Sequence, residues 1–146
     1  MAITAQQAAK TLAVLRDWNV SNLELQKLLY IAHMVHLGEH GEPLISDHFE
    51  AWDYGPVVPS LYQHLRGFGA GSIGNVFHSV PGISEGSREF VTLVETAKNT
   101  RGFTPGRLVS ITHWPEGAWA QFYNSGRKGT VIPNDSIKSE YERRAA

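Results

Sequence analysis

The segment 21–38 constrains the fold more than any other part of the sequence. It opens with Ser21-Asn22-Leu23-Glu24, a capping-box pattern in which the Ser21 and Glu24 side chains satisfy each other's free backbone amides. Apolar positions then recur at helical spacing on one stripe, which comprises Leu25, Leu28, Leu29, Ala32 and His36. The pattern predicts an amphipathic helix that ends at about Gly38.

Further helices are predicted from capping residues, proline positions and apolar spacing. Thr4 is a suitable cap for a first helix, and Thr104-Pro105 combines a cap with proline at the first helical position. The segment 67–74 holds four glycines and favours an irregular surface loop. The predicted helices besides 21–38 span about 4–18, 57–66, 84–99, 104–114, a short turn at 118–123, and a last helix capped by Asn134 or Asp135.

Two short segments have strand character. Phe49-Glu50-Ala51-Trp52 alternates in polarity until Gly55-Pro56 ends it, and the second strand, 130–132, follows a turn at 127–129. We expect the two strands to pair with each other. The predicted fold class is an α-dominated α+β domain over residues 1–146, a compact bundle of about five to six helices with a short two-stranded β-ribbon (around 49–52 and 130–132).

Composition restricts the class of protein. Of 146 residues 42% are apolar and 18% are charged, which excludes a disordered tail. No apolar stretch approaches the roughly 20 residues that span a bilayer, and the N-terminus lacks the pattern of a signal peptide. Cysteine is absent, which excludes disulfides and thiol catalysis. We therefore expect a cytoplasmic protein with no membrane partner.

Charge is unevenly distributed along the chain. Residues 1–50 carry three basic and six acidic side chains, whereas residues 101–146 carry seven basic and four acidic ones. A nucleic-acid binder usually has a stronger basic surplus, because contacts to phosphate need Lys and Arg. The sequence therefore argues against a nucleic-acid partner, and we interpret the basic C-terminal part as a solvated face.

No pattern in the sequence indicates an enzyme. There is no phosphate-binding GxxxxGKS/T loop and no GxSxG nucleophile turn. The glycines at 67, 69, 71 and 74 approach a dinucleotide fingerprint, but no strand precedes them and no helix begins on them. No close pair of carboxylates stands out for acid–base catalysis. We predict no catalytic residues and no cofactor.

Histidines offer one alternative, a metal site. On an unbroken helix His33, His36 and His40 would face one way and could hold zinc. However, Gly38 and Gly41 predict that the helix ends before His40, and His36 falls on the apolar stripe. A hydrogen-bonded core histidine is the favoured interpretation, so no metal site is predicted.

Aromatic residues mark a candidate surface. Trp and Tyr anchor cores and interfaces alike, and core packing is the commoner role for any one of them. The turn Tyr54-Gly55-Pro56 differs, because Gly and Pro fix its backbone, which suits a surface that must present one shape. The aromatic residues that cluster around this turn and a second one are Trp52, Tyr54, Trp114, Trp119, Phe122 and Tyr123.

Two long motifs carry a family resemblance. Residues 25–32 read Leu-Gln-Lys-Leu-Leu-Tyr-Ile-Ala, and residues 49–62 read Phe-Glu-Ala-Trp-Asp-Tyr-Gly-Pro-Val-Val-Pro-Ser-Leu-Tyr. They resemble the LQKLLYxA and FEAWxYGPVxPxLY motifs of the Panacea domain family, which includes SocA-like antitoxins and phage-associated proteins. A weaker C-terminal pattern extends the resemblance to about residues 5–142; it comprises Thr112-His113, Trp119, Val131-Ile132-Pro133, Ile137 and Tyr141.

The resemblance implies the antitoxin of a type II-like toxin–antitoxin pair, which neutralises a cognate toxin by direct protein–protein binding. Some members act as adaptors that deliver the toxin to a ClpXP-type protease. The family supplies no catalytic residues. A phage-associated accessory protein and a DNA-binding regulator of its own operon are the alternatives. The residues predicted to bind the partner are Trp52, Asp53, Tyr54, Gly55, Pro56, His113 and Trp114.

Overall fold

The computed structural model describes residues 1–127 and 129–146, and its central element is helix α2 (Asn22–His40). The predicted capping box is present, because Ser21 Oγ accepts the Glu24 N–H and the Glu24 carboxylate accepts the Ser21 N–H. The other helices are α1 (Ala5–Leu15), α3 (Pro59–Leu65), α4 (Arg88–Asn99), α5 (Pro105–Thr112), α6 (Ala118–Phe122) and α7 (Asn134–Ala145). Helices α1, α3, α4, α5 and α7 all contact α2.

A small antiparallel sheet covers one end of α2. Its strands are β1 (Phe49–Trp52), β2 (Gly55–Val57) and β3 (Thr130–Ile132), in the order β2-β1-β3. The predicted pairing of 49–52 with 130–132 is confirmed, with Phe49 opposite Ile132. The prediction of a two-stranded ribbon is wrong in the number of strands, because the sheet has three. Gly55-Pro56 does not end the structure there but begins a return strand, in which Gly55 pairs with Trp52.

The α-dominated α+β class is confirmed, although several boundaries differ from the prediction. The described residues form seven α-helices, because the predicted short turn near residue 118 is a helix of its own. Helix α1 ends at Leu15 because Asp17 and Trp18 adopt left-handed backbone angles, with φ of 52° and 61°. Helix α4 begins at Arg88 because Ser87, and not Ser84, accepts the first free N–H.

The two helices α2 and α7 pack unusually close together. The prediction that the helix ends before His40 is wrong, because α2 continues to His40 and Gly41 ends it with φ of 69°. Gly38 lies inside the helix at the contact with α7, where a Cβ atom would overlap the Tyr141 ring. Helix α7 begins directly after Pro133, so the predicted cap at Asn134 or Asp135 is also wrong.

Other parts of the chain follow the prediction more loosely. The segment after α3 forms a single 3-10 turn (Arg66–Phe68) and then an irregular loop that bridges from Ser72 to Ser21. The predicted turn at 127–129 includes Lys128, which lies outside the described residues. No helix in the described ranges is both long enough and apolar enough to cross a bilayer.

A buried carboxylate ties α7 to its neighbours. Glu140 is 1% exposed and accepts hydrogen bonds from the Tyr30 hydroxyl at 2.7 Å and from the Ala118 N–H at 2.9 Å. Arg144, one turn later on α7, pairs with the same carboxylate at 2.7 Å and also donates to the Ile111 carbonyl. A buried charge is stable only when it is paired and hydrogen-bonded, and Glu140 meets both conditions.

We expect Glu140→Gln to lower the free energy of unfolding by about 3 kcal/mol, because an amide leaves Arg144 unpaired and cannot accept every bond. Urea denaturation followed by circular dichroism measures the loss. Glu142→Gln, on an exposed position of the same helix, is the control and should change stability by less than about 0.5 kcal/mol. Equal losses in the two variants would contradict the proposed role of Glu140.

Candidate partner-binding site

The β1–β2 hairpin brings five of the predicted binding residues into one turn, residues 52–56, which we call the hairpin corner. Because Trp52 pairs with Gly55, Asp53 and Tyr54 form the two-residue tip. Tyr54 is 75% exposed and Asp53 is also exposed, whereas Gly55 and Pro56 are buried. Gly55 has φ of 110°, a conformation that favours glycine. The corner therefore offers a two-residue tip on a fixed base.

Helix α2 holds the outer edge of β2 in place. The Lys27 amine donates to the Pro56 carbonyl at 3.2 Å, and the Gln26 side-chain oxygen accepts the Val58 N–H at 2.9 Å. Edge strands leave such backbone groups unpaired unless another element covers them. Two consecutive side chains of the 25–32 motif thus satisfy the backbone of the 49–62 motif, which explains physically why the two motifs accompany each other in this chain.

Lys27, His113 and Gly55 meet beneath the hairpin corner. A Cβ atom on Gly55 would lie 2.8 Å from Lys27 Nζ and 3.2 Å from His113 Nε2, so only glycine fits there. Burial lowers the pKa of Lys27 to about 7. Burial, and after it the nearby Lys27 charge, lower the pKa of His113. His113 Nε2 is buried and has no hydrogen-bond partner within the described residues.

This buried group is not open to a substrate. Lys27 is 0% exposed, and its amine is directed to the Pro56 carbonyl. A nucleophilic lysine must reach its substrate, which here would require the hairpin to move away from α2. The arrangement therefore fits a support for the hairpin corner better than a reaction centre.

A row of three aromatic rings, from His113, Trp119 and Tyr123, also supports the corner. The His113 ring lies 4.1 Å from the Trp119 ring, and Trp119 stacks on Tyr123 at 4.6 Å. The Trp119 indole donates to the Trp52 carbonyl at 2.7 Å, and the Tyr123 hydroxyl donates to Asp53 at 2.6 Å. Helix α6 and the residue that follows it thus fix the first half of the turn, at Trp52 and Asp53.

The two predicted residues outside the hairpin lie in different places. His113 joins the hairpin corner through Gly55 and Trp119, as described. Trp114 faces the C-terminal helix, where the Arg144 guanidinium lies 4.5 Å from the centre of its ring. Trp114 is half-buried there. The structure therefore brings six of the seven predicted residues together and places Trp114 beside them, against α7.

A groove of about 680 Å³, which we call the corner groove, opens beside the hairpin corner. Trp52 forms one wall and meets the Tyr62 ring edge-on at 5.0 Å. The start of α2, the end of α3 and the segment 123–127 complete the lining. Tyr62 and Tyr123 belong to aromatic patterns that the sequence shows, but nothing in the sequence indicated that Arg66 and Arg127 would line the same groove.

Two of the three histidines of α2, His33 and His36, are buried in the core, whereas His40 is exposed. His33 Nε2 lies 2.9 Å from the Asn134 side chain, and burial lowers the pKa of His33 to about 4. His36 Nδ1 lies 2.7 Å from Thr92 Oγ1, and burial lowers its pKa as well. Although the helix extends through His40, His33 is directed toward another part of the core. Within residues 1–127 and 129–146, no three His, Cys, Asp or Glu side chains are arranged to hold a metal ion.

We expect the stability of the protein to rise with pH above 7 because of Lys27. In the unfolded chain the lysine keeps its ordinary pKa of 10.5, so between about 7 and 10 only the unfolded state binds this proton. The free energy of unfolding should increase by up to about 1.4 kcal/mol for each pH unit. Lys27→Met should remove this increase, and urea denaturation at several pH values measures it.

Lys98→Met, at an exposed lysine, is the matched control and should keep the wild-type dependence on pH. An identical slope in wild type and Lys27→Met would show that the folded state holds Lys27 charged.

Comparison with known proteins places the chain in a family. Residues 25–120 match the family described as antitoxin SocA-like, Panacea domain. Antitoxin SocA of Caulobacter vibrioides (strain NA1000 / CB15N) is 53% identical over 47 residues, which are 32% of this chain and 25% of that protein. The chain thus matches about a quarter of the length of this relative. No solved structure matches the chain. Because the family match covers well over half of the residues, the chain belongs to the SocA-like antitoxin family, defined by the Panacea domain.

Proposed function

We propose that the protein is the antitoxin of a toxin–antitoxin pair and neutralises a cognate toxin in the cytoplasm by binding it directly. The observation that carries this proposal is the hairpin corner, an exposed tip on a rigid base in a chain of the SocA-like family. The relative from Caulobacter vibrioides is itself named an antitoxin. The proposed antitoxin activity is supported by this similarity and does not depend on any reaction chemistry.

The geometry of the hairpin corner suits protein recognition. Tyrosine is enriched among the residues that contribute most to binding, and Tyr54 is 75% exposed. A surface that is ordered before binding loses less conformational entropy on association. Bonds from Trp119 and Tyr123 hold the turn, and Lys27 holds the strand behind it. The tip therefore needs little rearrangement to meet a partner.

The seven predicted residues divide into two roles in this proposal. Trp52, Asp53 and Tyr54 contact the toxin, because they line the corner groove or extend beyond it. Gly55, Pro56 and His113 are buried or half-buried and act by positioning those three. Trp114, which is half-buried beside the Arg144 guanidinium, adds a contact at the margin of this surface.

A DNA-binding role is disfavoured by how the basic residues of α1 and α2 are used. Lys10 donates to the Val80 carbonyl at 2.9 Å, and Arg16 donates to Thr100 Oγ1 at 2.6 Å. Lys27, the third basic residue among residues 1–50, is buried. Phosphate contacts need free cationic side chains, and this region offers none of its three for that purpose.

We further propose that the bound toxin is delivered to a ClpXP-type protease, as the family resemblance implies. The antitoxin then acts as an adaptor with two surfaces, one for each partner. Pulse-chase labelling distinguishes delivery from masking, because delivery shortens the lifetime of the toxin only when both the antitoxin and the protease are present. An unchanged toxin lifetime with growth restored would leave masking as the mechanism.

The direct test is co-expression with the product of the adjacent gene. We expect that product to arrest growth alone, and to be neutralised and co-purified by wild-type antitoxin. Tyr54→Ala should weaken binding by about 2 kcal/mol, or roughly thirtyfold, and Trp52→Ala by at least as much. Isothermal titration calorimetry with the purified pair measures both.

Val14→Ala is the matched control, because Val14 is 54% exposed on α1 and lies outside the corner groove. It should retain wild-type affinity. The antitoxin proposal would be overturned if the product of the adjacent gene neither arrests growth nor binds this protein. Unchanged affinity in correctly folded Tyr54→Ala and Trp52→Ala would place the binding surface elsewhere.

A further inference from the structure

The corner groove has an apolar, aromatic lining that could hold part of another molecule. Trp52 and Tyr62 form an edge-on pair on one wall, and Tyr123 lies at another. Leu23, at the start of α2, is 39% exposed and lines the same space together with Val57. Aromatic pockets of this kind bind a large apolar side chain of a partner and exclude water around it.

The corner groove carries a local positive charge. Arg66 and Arg127 are both exposed, both line the groove, and neither guanidinium forms an ion pair with a described residue. The carboxylate of the groove, Asp53, already accepts the Tyr123 hydroxyl at 2.6 Å. The whole chain carries a formal charge of −1, so this local positive charge is opposite to that of the molecule. A ligand with carboxylates complements the groove.

We propose that the corner groove binds a short acidic segment of the protein partner, seating one apolar or aromatic side chain against the paired rings of Trp52 and Tyr62 and pairing carboxylates with Arg66 and Arg127. This inference rests on the proposed function and names the chemistry of the partner at the same site. Arginine suits this role because its planar guanidinium can hold a carboxylate with two parallel hydrogen bonds.

A single-stranded nucleic acid is the competing occupant, since bases also stack on aromatic rings beside arginine. One observation favours the peptide. Of the groove-lining residues that the structure describes, only two are cationic, and continuous tracking of a backbone needs a longer positive path.

The test is charge reversal at the groove, measured with the purified product of the adjacent gene by calorimetry. We expect Arg66→Glu and Arg127→Glu each to weaken binding about fivefold, and the double variant to weaken it about twentyfold or more, because attraction is replaced by repulsion. Binding by the wild type should weaken as salt rises, and the double variant should lose most of that dependence. Replacing the acidic residues of the bound segment by lysine should restore affinity for the double variant.

Arg101→Glu, an equally exposed arginine after α4, is the matched control and should bind like the wild type. Thermal unfolding of all variants checks that the fold is intact. If the wild type binds but all reversals bind equally well, the groove inference is wrong and the antitoxin proposal stands. If the product of the adjacent gene does not bind the wild type, the groove inference and the antitoxin proposal are both wrong. Binding of a single-stranded oligonucleotide that the same reversals abolish would also overturn the peptide inference.

Discussion

The structure depends on the polar side chains that α2 carries into the core. A buried polar group is costly unless it is hydrogen-bonded, so each of them obliges a neighbouring element to offer a partner at a fixed place. Helix α2 is surrounded on several sides, so its polar side chains find their hydrogen-bond partners on the hairpin, α3, α4 and α7. The buried polar residues of α2 with such a partner are Asn22, Gln26, Lys27, Tyr30, His33 and His36.

The need to satisfy buried polar groups also explains why the 25–32 motif contributes both to the core and to the support of the hairpin corner. Gln26 and Lys27 bond the backbone next to the hairpin tip, and Lys27 is buried with no carboxylate among the described residues paired to it. Burial of an unpaired lysine is tolerable because its pKa falls to about 7, so the amine can donate while neutral. The position of the hairpin corner is thus determined by α2 together with Trp119 and Tyr123, and not by the loop itself.

Sequence reasoning succeeded where the signal was local and failed where distant residues decided. The Ser21 capping box and the strand character of 49–52 and 130–132 follow from local patterns and are present, and the expected pairing of these two strands is found as well. Strand β2 could not be predicted, because Gly55-Pro56 has the composition of a turn. The strand depends on hydrogen bonds from Gln26 and Lys27, which lie far away in the sequence. The helix runs past Gly38 because Tyr141, more than a hundred residues later, fills the space of a side chain. The corner groove likewise requires Arg66 and Arg127, which are distant in the sequence, to line one cavity, and no sequence spacing indicates this.

The covered edge of β2 limits how evolution can alter recognition. With the Pro56 carbonyl and the Val58 N–H already used by α2, a partner cannot extend the sheet there by adding a strand. In the proposed function, recognition at this face therefore depends on the side chains of the tip and not on strand addition at this edge. Substitutions at the tip can then change which molecule is accepted while the supporting helix stays the same. In the proposed function, specificity lies at the exposed tip and stability at its buried supports, which allows one scaffold to be redirected to unrelated targets without being rebuilt.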